Sequence, residues 1–78
     1  MSIFEQVQET ISTTLKVPAA KITPTTRDED LAAWDSLGHV NLIMALEQTF
    51  NVYIEVEDFA GLNSVPAIIE FLGKQGVS

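Results

Sequence analysis

The sequence has 78 residues, a net charge of −7 and no cysteine, and 46% of its residues are hydrophobic. This length predicts one small domain spanning residues 1–78, and the hydrophobic content is too high for a disordered chain. The acidic balance argues against nucleic-acid binding, and the lack of cysteine excludes disulfides and thiolate metal sites. No apolar run approaches the ~18 residues of a membrane span and no secretory leader is recognisable, so we expect a cytoplasmic protein.

A first helix is predicted over about residues 3–16. Ser2 and Glu5 have the spacing of a capping box, in which each side chain accepts a hydrogen bond from the other residue's backbone N–H. Val17 precedes Pro18, and proline disfavours the helical conformation of the residue before it, so the helix ends here. The apolar residues of the segment follow at the three- and four-residue spacings of one helical face: Phe4, Val7, Ile11 and Leu15.

Residues 18–35 have no sustained period and form a long loop, which is unusual inside a small domain. Ile22, Leu31 and Trp34 are the apolar side chains that could anchor the loop to a core. A short turn is possible near residues 28–33. The sequence therefore predicts an ordered crossing rather than a free linker.

A second helix is predicted from Ser36 to Phe50, and its apolar residues fall into two arcs. One arc faces the core and contains Leu42, Ile43, Leu46 and Phe50. The other arc, Leu37, Val40 and Met44, cannot also be buried in so small a bundle. Scattered surface hydrophobes are normal, but grouped exposed apolar residues often mark interfaces, so we interpret this arc as a docking patch.

The C-terminal third contains one short and one longer helix. Residues 52–56 alternate like a strand, but a lone strand has nothing here to pair with. Residues 57–60 suit about one helical turn before Gly61, and Ser64 caps a last helix that Gly73 or Gly76 ends. The predicted fold is all-α: a small four-helix bundle with three longer helices, a short third helix and a long loop between the first two.

Asp35 and Ser36 stand at the start of the second helix. Either residue is an ordinary N-cap. The same position is also an anion site, because free N–H groups and the helix dipole stabilise negative charge there. A phosphate esterified to Ser36 would be stabilised, and Asp35 could help to hold a divalent cation while that phosphate is delivered.

The pattern of this region resembles the acyl carrier protein family. The residues that carry the resemblance are Asp35-Ser36-Leu37, Val40, Leu42-Ile43-Met44, Leu46-Glu47 and Phe50, with Val56–Phe59 matching the family's short third helix and Ser64–Leu72 its fourth. The resemblance covers essentially the whole chain and includes the order of helices.

The resemblance implies a carrier without catalytic residues and without a resident metal. In the family, the serine that matches Ser36 receives 4′-phosphopantetheine from coenzyme A through a magnesium-dependent phosphopantetheinyl transferase, the holo-acyl-carrier-protein synthase. The expected further partners are an acyl- or adenylate-forming ligase, a ketosynthase or an acyltransferase. The carrier itself is expected to be a monomer. The docking residues would be Leu37, Val40, Asn41, Met44 and Glu47, and a cleft for the acyl chain between the second and third helices could be lined by Leu42, Ile43, Leu46, Ile54, Ala60, Leu62 and Ile68.

The second helix departs from the pattern of many fatty-acid carriers, because Gly38, Asn41 and Gln48 occupy positions that often hold acids. Together with the stretch from Trp34 to His39, this resembles specialised carriers of polyketide, nonribosomal peptide, lipid-modification or surface-polysaccharide pathways. Two alternatives stay open: an aminoacyl or peptidyl carrier loaded by an adenylating ligase, and an unmodified helical interaction module. A Ser36–His39 catalytic pair is rejected because no third group would orient the imidazole, and we expect His39 to pack on the long loop.

Overall fold

The structure is a computed structural model that describes residues 2–77. It contains three α-helices: α1 (Ile3–Leu15), α2 (Ser36–Phe50) and α3 (Val65–Lys74). A 3₁₀ helix, Val56–Gly61, lies between α2 and α3, and no β-strand occurs in the described part of the chain. The predicted all-α bundle with a short third helix is confirmed. No helix among these residues is both long and apolar enough to cross a bilayer.

Helix α1 begins and ends as the sequence predicts, to within one residue. The Glu5 amide donates to Ser2 Oγ at 3.1 Å, and the Ser2 amide donates to Glu5 Oε1 at 3.0 Å, which completes the capping box. The hydrogen bond from the Ser2 amide, followed by that from the Ser2 hydroxyl, holds the pKa of the Glu5 carboxyl below its usual value. Lys16 adopts the left-handed conformation at the C-cap, so α1 ends at Leu15 rather than at residue 16.

The long connection between α1 and α2 is ordered by three kinds of contact. Two 3₁₀ turns shorten it, at Ala19–Lys21 and Asp28–Asp30, of which only the second falls where the sequence predicts a turn. The predicted anchors Ile22, Leu31 and Trp34 are all buried in the core. The Gln8 side chain donates to the carbonyls of Ala19 and Ile22, both at 2.9 Å.

A short backbone junction ties the same connection to the start of α3. The Val65 amide donates to the Thr26 carbonyl at 2.8 Å, and the Asp28 amide donates to the Asn63 carbonyl at 2.9 Å. The two hydrogen bonds bracket an isolated antiparallel bridge between Arg27 and Ser64. The connection is therefore held against the bundle, because its apolar anchors are buried and part of its backbone is hydrogen-bonded to Gln8 and to the start of α3.

The core contains apolar residues from every long element and from the connections. Its fully buried members include Val7, Ile11, Leu42, Val65, Ile68 and Leu72. Phe50, predicted for the core arc of α2, is half-buried and packs against this cluster. The second arc of α2 is exposed as predicted, with Leu37 71%, Val40 44% and Met44 49% accessible.

Gly38 lies where the first turn of α2 packs on the end of the long connection. A Cβ at this position would collide with the Ala33 carbonyl oxygen and would come within 3.0 Å of Leu15 Cδ2. The Ala33 oxygen is backbone and cannot rotate away. In this chain Gly38 is buried and has no room for a side chain, so packing explains the glycine at a position that often holds an acid in fatty-acid carriers.

We expect Gly38→Ala to destabilise the protein by about 1–3 kcal/mol, the usual range for overpacking. Gly73→Ala is the matched control: Gly73 also lies in a helix, and an added Cβ meets nothing within 4 Å. That substitution should stabilise the protein by up to about 1 kcal/mol through helix propensity. Urea unfolding of the two variants measures both changes. A stabilised Gly38→Ala protein would contradict the close approach.

The two arcs of α2 should respond oppositely to truncation. Leu46 is 1% exposed and Met44 is 49% exposed. Leu46→Ala should lower the free energy of unfolding by about 2–5 kcal/mol through cavity formation, whereas Met44→Ala should change it by less than about 1 kcal/mol. The same urea titration compares them, and similar losses in both variants would contradict the assignment of core and surface.

Candidate functional site

Asp35 is the N-cap of α2, so the Ser36 hydroxyl takes no part in capping the helix. Asp35 Oδ1 accepts a hydrogen bond from the Gly38 amide at 2.8 Å, so the carboxylate satisfies one of the free N–H groups at the helix start. Ser36 is the first helical residue and its side chain is exposed. Within residues 2–77 its hydroxyl has no hydrogen-bond partner. The interpretation of Ser36 as an ordinary capping serine is therefore wrong.

The Ser36 hydroxyl borders a surface depression of about 490 Å³. Trp34, His39, Phe59 and Asn63 form part of its lining, so the long connection, α2 and the segment after it all contribute. A groove of about 450 Å³ between α1 and α2 shares no lining residue with this depression and contains none of the predicted site residues. The depression is thus the concave surface that directly adjoins the candidate attachment point.

His39 joins the elements around this depression. The Trp34 indole N–H donates to His39 Nδ1 at 2.9 Å, and His39 Nε2 lies 2.6 Å from the Phe59 carbonyl oxygen. The two ring planes are inclined by 21° and their centroids lie 6.3 Å apart, as expected for rings joined edge to edge by this hydrogen bond. The predicted packing of His39 on the long loop is confirmed. Since both ring nitrogens have partners, neither is free to act as a base toward Ser36.

The predicted docking residues separate into two groups. Leu37, Val40, Asn41 and Met44 are exposed. Glu47 is half-buried, and its Oε2 accepts a hydrogen bond from the Ile54 amide at 2.9 Å. Glu47 therefore has a structural role at the exit of α2, and its contact with partners stays a prediction.

Two exposed apolar residues were missed by the sequence analysis. Tyr53 is 74% exposed and Val56 is 79% exposed. The alternation of residues 52–56, which Tyr53 interrupts, suggested only a possible strand. Nothing in the local pattern distinguishes inward from outward side chains in an irregular segment. With the second arc of α2 they raise the number of large exposed apolar side chains in the described residues to five.

The predicted cleft residues are also divided. Ala60 is exposed and borders the depression. The others are at most 4% exposed and belong to the packed core: Leu42, Ile43, Leu46, Ile54, Leu62 and Ile68. Their side chains are in van der Waals contact within one cluster, so an acyl chain would have to displace them to enter, and the cleft itself stays a prediction.

An acidic rim follows the exit of α2. A hydrogen bond with Glu57, then burial, then the charge of Asp58 raise the pKa of the Glu55 carboxyl above its usual value. The carboxyl groups of Glu55, Glu57 and Asp58 lie close together, and their ionised forms give this rim a negative potential. The same proximity opposes the ionisation of each group, because like charges repel. By contrast, the exposed face of α2 between Ser36 and Leu46 carries no carboxylate, lysine or arginine side chain.

Comparison with known proteins agrees with this geometry. The family described as "Phosphopantetheine attachment site" matches residues 5–72. The chain is 40% identical over 73 residues to an acyl carrier protein of Helicobacter pylori strain J99, covering 92% of each chain. It is 39% identical over 75 residues to an acyl carrier protein of Solidesulfovibrio magneticus, covering 96% of each.

The residues at the mouth of α2 fit a phosphate-linked prosthetic group. They provide an exposed hydroxyl without a partner, a helix start with free amides, and a depression large enough for a small organic ligand. Together with the family match and the relatives, these features lead to one identification. The chain belongs to the acyl carrier protein family, as a non-catalytic carrier whose prosthetic group, 4′-phosphopantetheine, is covalently attached, and it interacts with a phosphopantetheinyl transferase and with biosynthetic enzymes.

Proposed function

We propose that Ser36 is the attachment residue and that the chain, acting as one domain, carries acyl or aminoacyl intermediates as thioesters. One observation carries this proposal. Asp35 caps the helix, whereas the Ser36 hydroxyl is exposed and has no hydrogen-bond partner among residues 2–77. The arm, when bound, supplies a thiol whose thioester carbonyl is ready for transfer or condensation.

The chain's own residues prepare the hydroxyl for modification in two ways. The amides of the first turn of α2 and the helix dipole stabilise the negative phosphodiester that forms at Ser36. Asp35 uses one carboxylate oxygen for Gly38, and its other oxygen has no donor among residues 2–77. That oxygen is therefore available to a magnesium ion during transfer, since hard cations prefer carboxylate oxygens.

We further propose that partners dock on a largely uncharged surface made of Leu37, Val40, Asn41 and Met44. Burial of the apolar side chains supplies most of the affinity, and the acidic rim at Glu55 and its neighbours contacts basic groups at the edge of a partner. This pattern supports a specialised acyl or aminoacyl carrier of a polyketide, nonribosomal peptide, lipid-modification or polysaccharide pathway, working as a monomer in the cytoplasm. A ligase, ketosynthase or acyltransferase would be the partner that loads or unloads it.

Ser36→Ala should abolish modification. Incubation with coenzyme A, magnesium and a broad-specificity phosphopantetheinyl transferase should add one phosphopantetheine group to the natural chain and none to the variant, as measured by intact mass. Ser64→Ala is the matched control. Ser64 also stands at a helix start, but its hydroxyl caps α3 by accepting from the Ala67 amide. It should lose about 1 kcal/mol of stability and still be modified. An unmodified natural chain would instead favour the interaction-module alternative.

Met44→Arg should weaken docking without unfolding the protein. A buried cationic side chain at an apolar contact costs binding energy, whereas Met44 is half in solvent and tolerates charge in the free protein. We expect KM for modification by the same transferase to rise about tenfold with kcat nearly unchanged. Thr49→Arg adds the same charge at an exposed site of α2 on the groove toward α1 and should change KM less than twofold. Equal effects of the two variants would contradict a localised docking patch.

A further inference from the structure

The 3₁₀ helix Val56–Gly61 makes few polar contacts with the rest of the described fold. None of its residues is buried. The Asp58 amide donates to the Glu55 carbonyl and the Leu62 amide donates to the Phe59 carbonyl, so these bonds are local. Among residues 2–77, the bond between His39 Nε2 and the Phe59 carbonyl is the one hydrogen bond that joins this helix to another long element.

The donor and acceptor roles of the imidazole follow from its neighbours. The Trp34 indole nitrogen can only donate, so His39 Nδ1 must accept and carries no proton. The proton of the neutral ring is therefore on Nε2, where it donates to the Phe59 carbonyl at 2.6 Å. Trp34 is 5% exposed and is held by its own backbone bond to Leu31. A fixed loop residue thus orients the ring toward the 3₁₀ helix.

The bond lies between α2 and the 3₁₀ helix, where the family resemblance predicts the cleft for the acyl chain. Ile54 and Leu62 flank the 3₁₀ helix and lie in the core at 3% and 4% exposure, and Leu42, one turn beyond His39 on α2, is fully buried. An acyl chain that passes between α2 and the 3₁₀ helix must move the helix outward. That movement breaks the contact between His39 and the Phe59 carbonyl.

We propose that His39 is a positioning residue that latches the 3₁₀ helix to α2 and so keeps the cargo outside the core, beside the depression next to Ser36. This inference rests on the proposed function, because it concerns cargo attached at Ser36. It assigns His39 a role in cargo presentation that neither capping nor docking requires.

Two substitutions separate the halves of the latch. His39→Asn keeps an acceptor near the position of Nδ1 for Trp34 but is too short to reach Phe59. His39→Gln places an amide N–H near the position of Nε2 and should restore that contact. In hydrogen exchange of the unmodified proteins, His39→Asn should speed exchange of the Asp58 and Leu62 amides about five- to tenfold, the factor expected for one hydrogen bond. His39→Gln should show at most a twofold change.

The Val65 amide, which donates to Thr26 away from the latch, is the internal control and should not change. Trp34→Phe is an independent variant that removes the donor fixing the tautomer, and it should speed the same two amides by a smaller factor. Unchanged Asp58 and Leu62 exchange in both His39→Asn and Trp34→Phe would overturn the latch. So would faster exchange of all three amides alike, because this pattern indicates general destabilisation.

The position of the cargo is tested with acetyl and octanoyl groups, which the transferase loads from the corresponding coenzyme A thioesters. Hydroxylamine should cleave both thioesters of the natural chain at similar rates, since both are outside the core. In His39→Asn, octanoyl cleavage should become at least threefold slower than acetyl cleavage, and His39→Gln should behave like the natural chain. Protection of the octanoyl group in the natural chain would overturn the inference. Failure to load any chain would contradict attachment at Ser36, whereas the exchange comparison on unmodified protein would still decide the latch.

Discussion

The site depends on how closely the first turn of α2 approaches the end of the long connection. At Gly38 the helix lies against the Ala33 carbonyl, with no space for a Cβ. In the same turn, the Gly38 amide donates to Asp35 Oδ1 at 2.8 Å, the ordinary contact of an N-cap. Because Asp35 caps the helix, the Ser36 hydroxyl is left exposed and without a partner among residues 2–77. Packing at Gly38 and capping by Asp35 together fix the helix start at which Ser36 stands.

The approach at Gly38 is maintained because the connection before it is fixed at several points. An irregular segment of this length would ordinarily be mobile, since each residue loses backbone entropy when it is ordered. Here Ile22 and Trp34 are buried in the core, and the backbone at Thr26 is bonded to the start of α3. These contacts form at long sequence separation, so the position of Ser36 depends on the whole bundle. If Ser36 is the attachment point, as proposed, this rigidity leaves motion to the arm rather than to the domain.

Local signals account for the part of the structure that the sequence predicts well. The capping box at Ser2, the apolar stripes and the two arcs of α2 depend on residues three or four apart, which a single sequence displays. The roles of Gly38 and Glu47 depend instead on residues that meet only after folding: Ala33 and Leu15 for the glycine, Ile54 for the glutamate. The sequence alone therefore shows neither the packing that requires Gly38 nor the loop hydrogen bond of Glu47, whose contact with partners stays a prediction.

The two faces of α2 have different physical requirements, and this difference explains why its outer face can lack charge. On the inner face, Leu42 and Leu46 are buried in the core, so the side chains that this face can carry are limited by the space available there. On the proposed function, the outer face binds partners briefly and releases them. Charged patches mainly raise association rates and make binding sensitive to salt, whereas the proposed apolar contacts at Val40 and Met44 would act only at short range. Specificity would then depend on the shape around Ser36, where the hydrogen bond between Trp34 and His39 fixes the wall beside the hydroxyl.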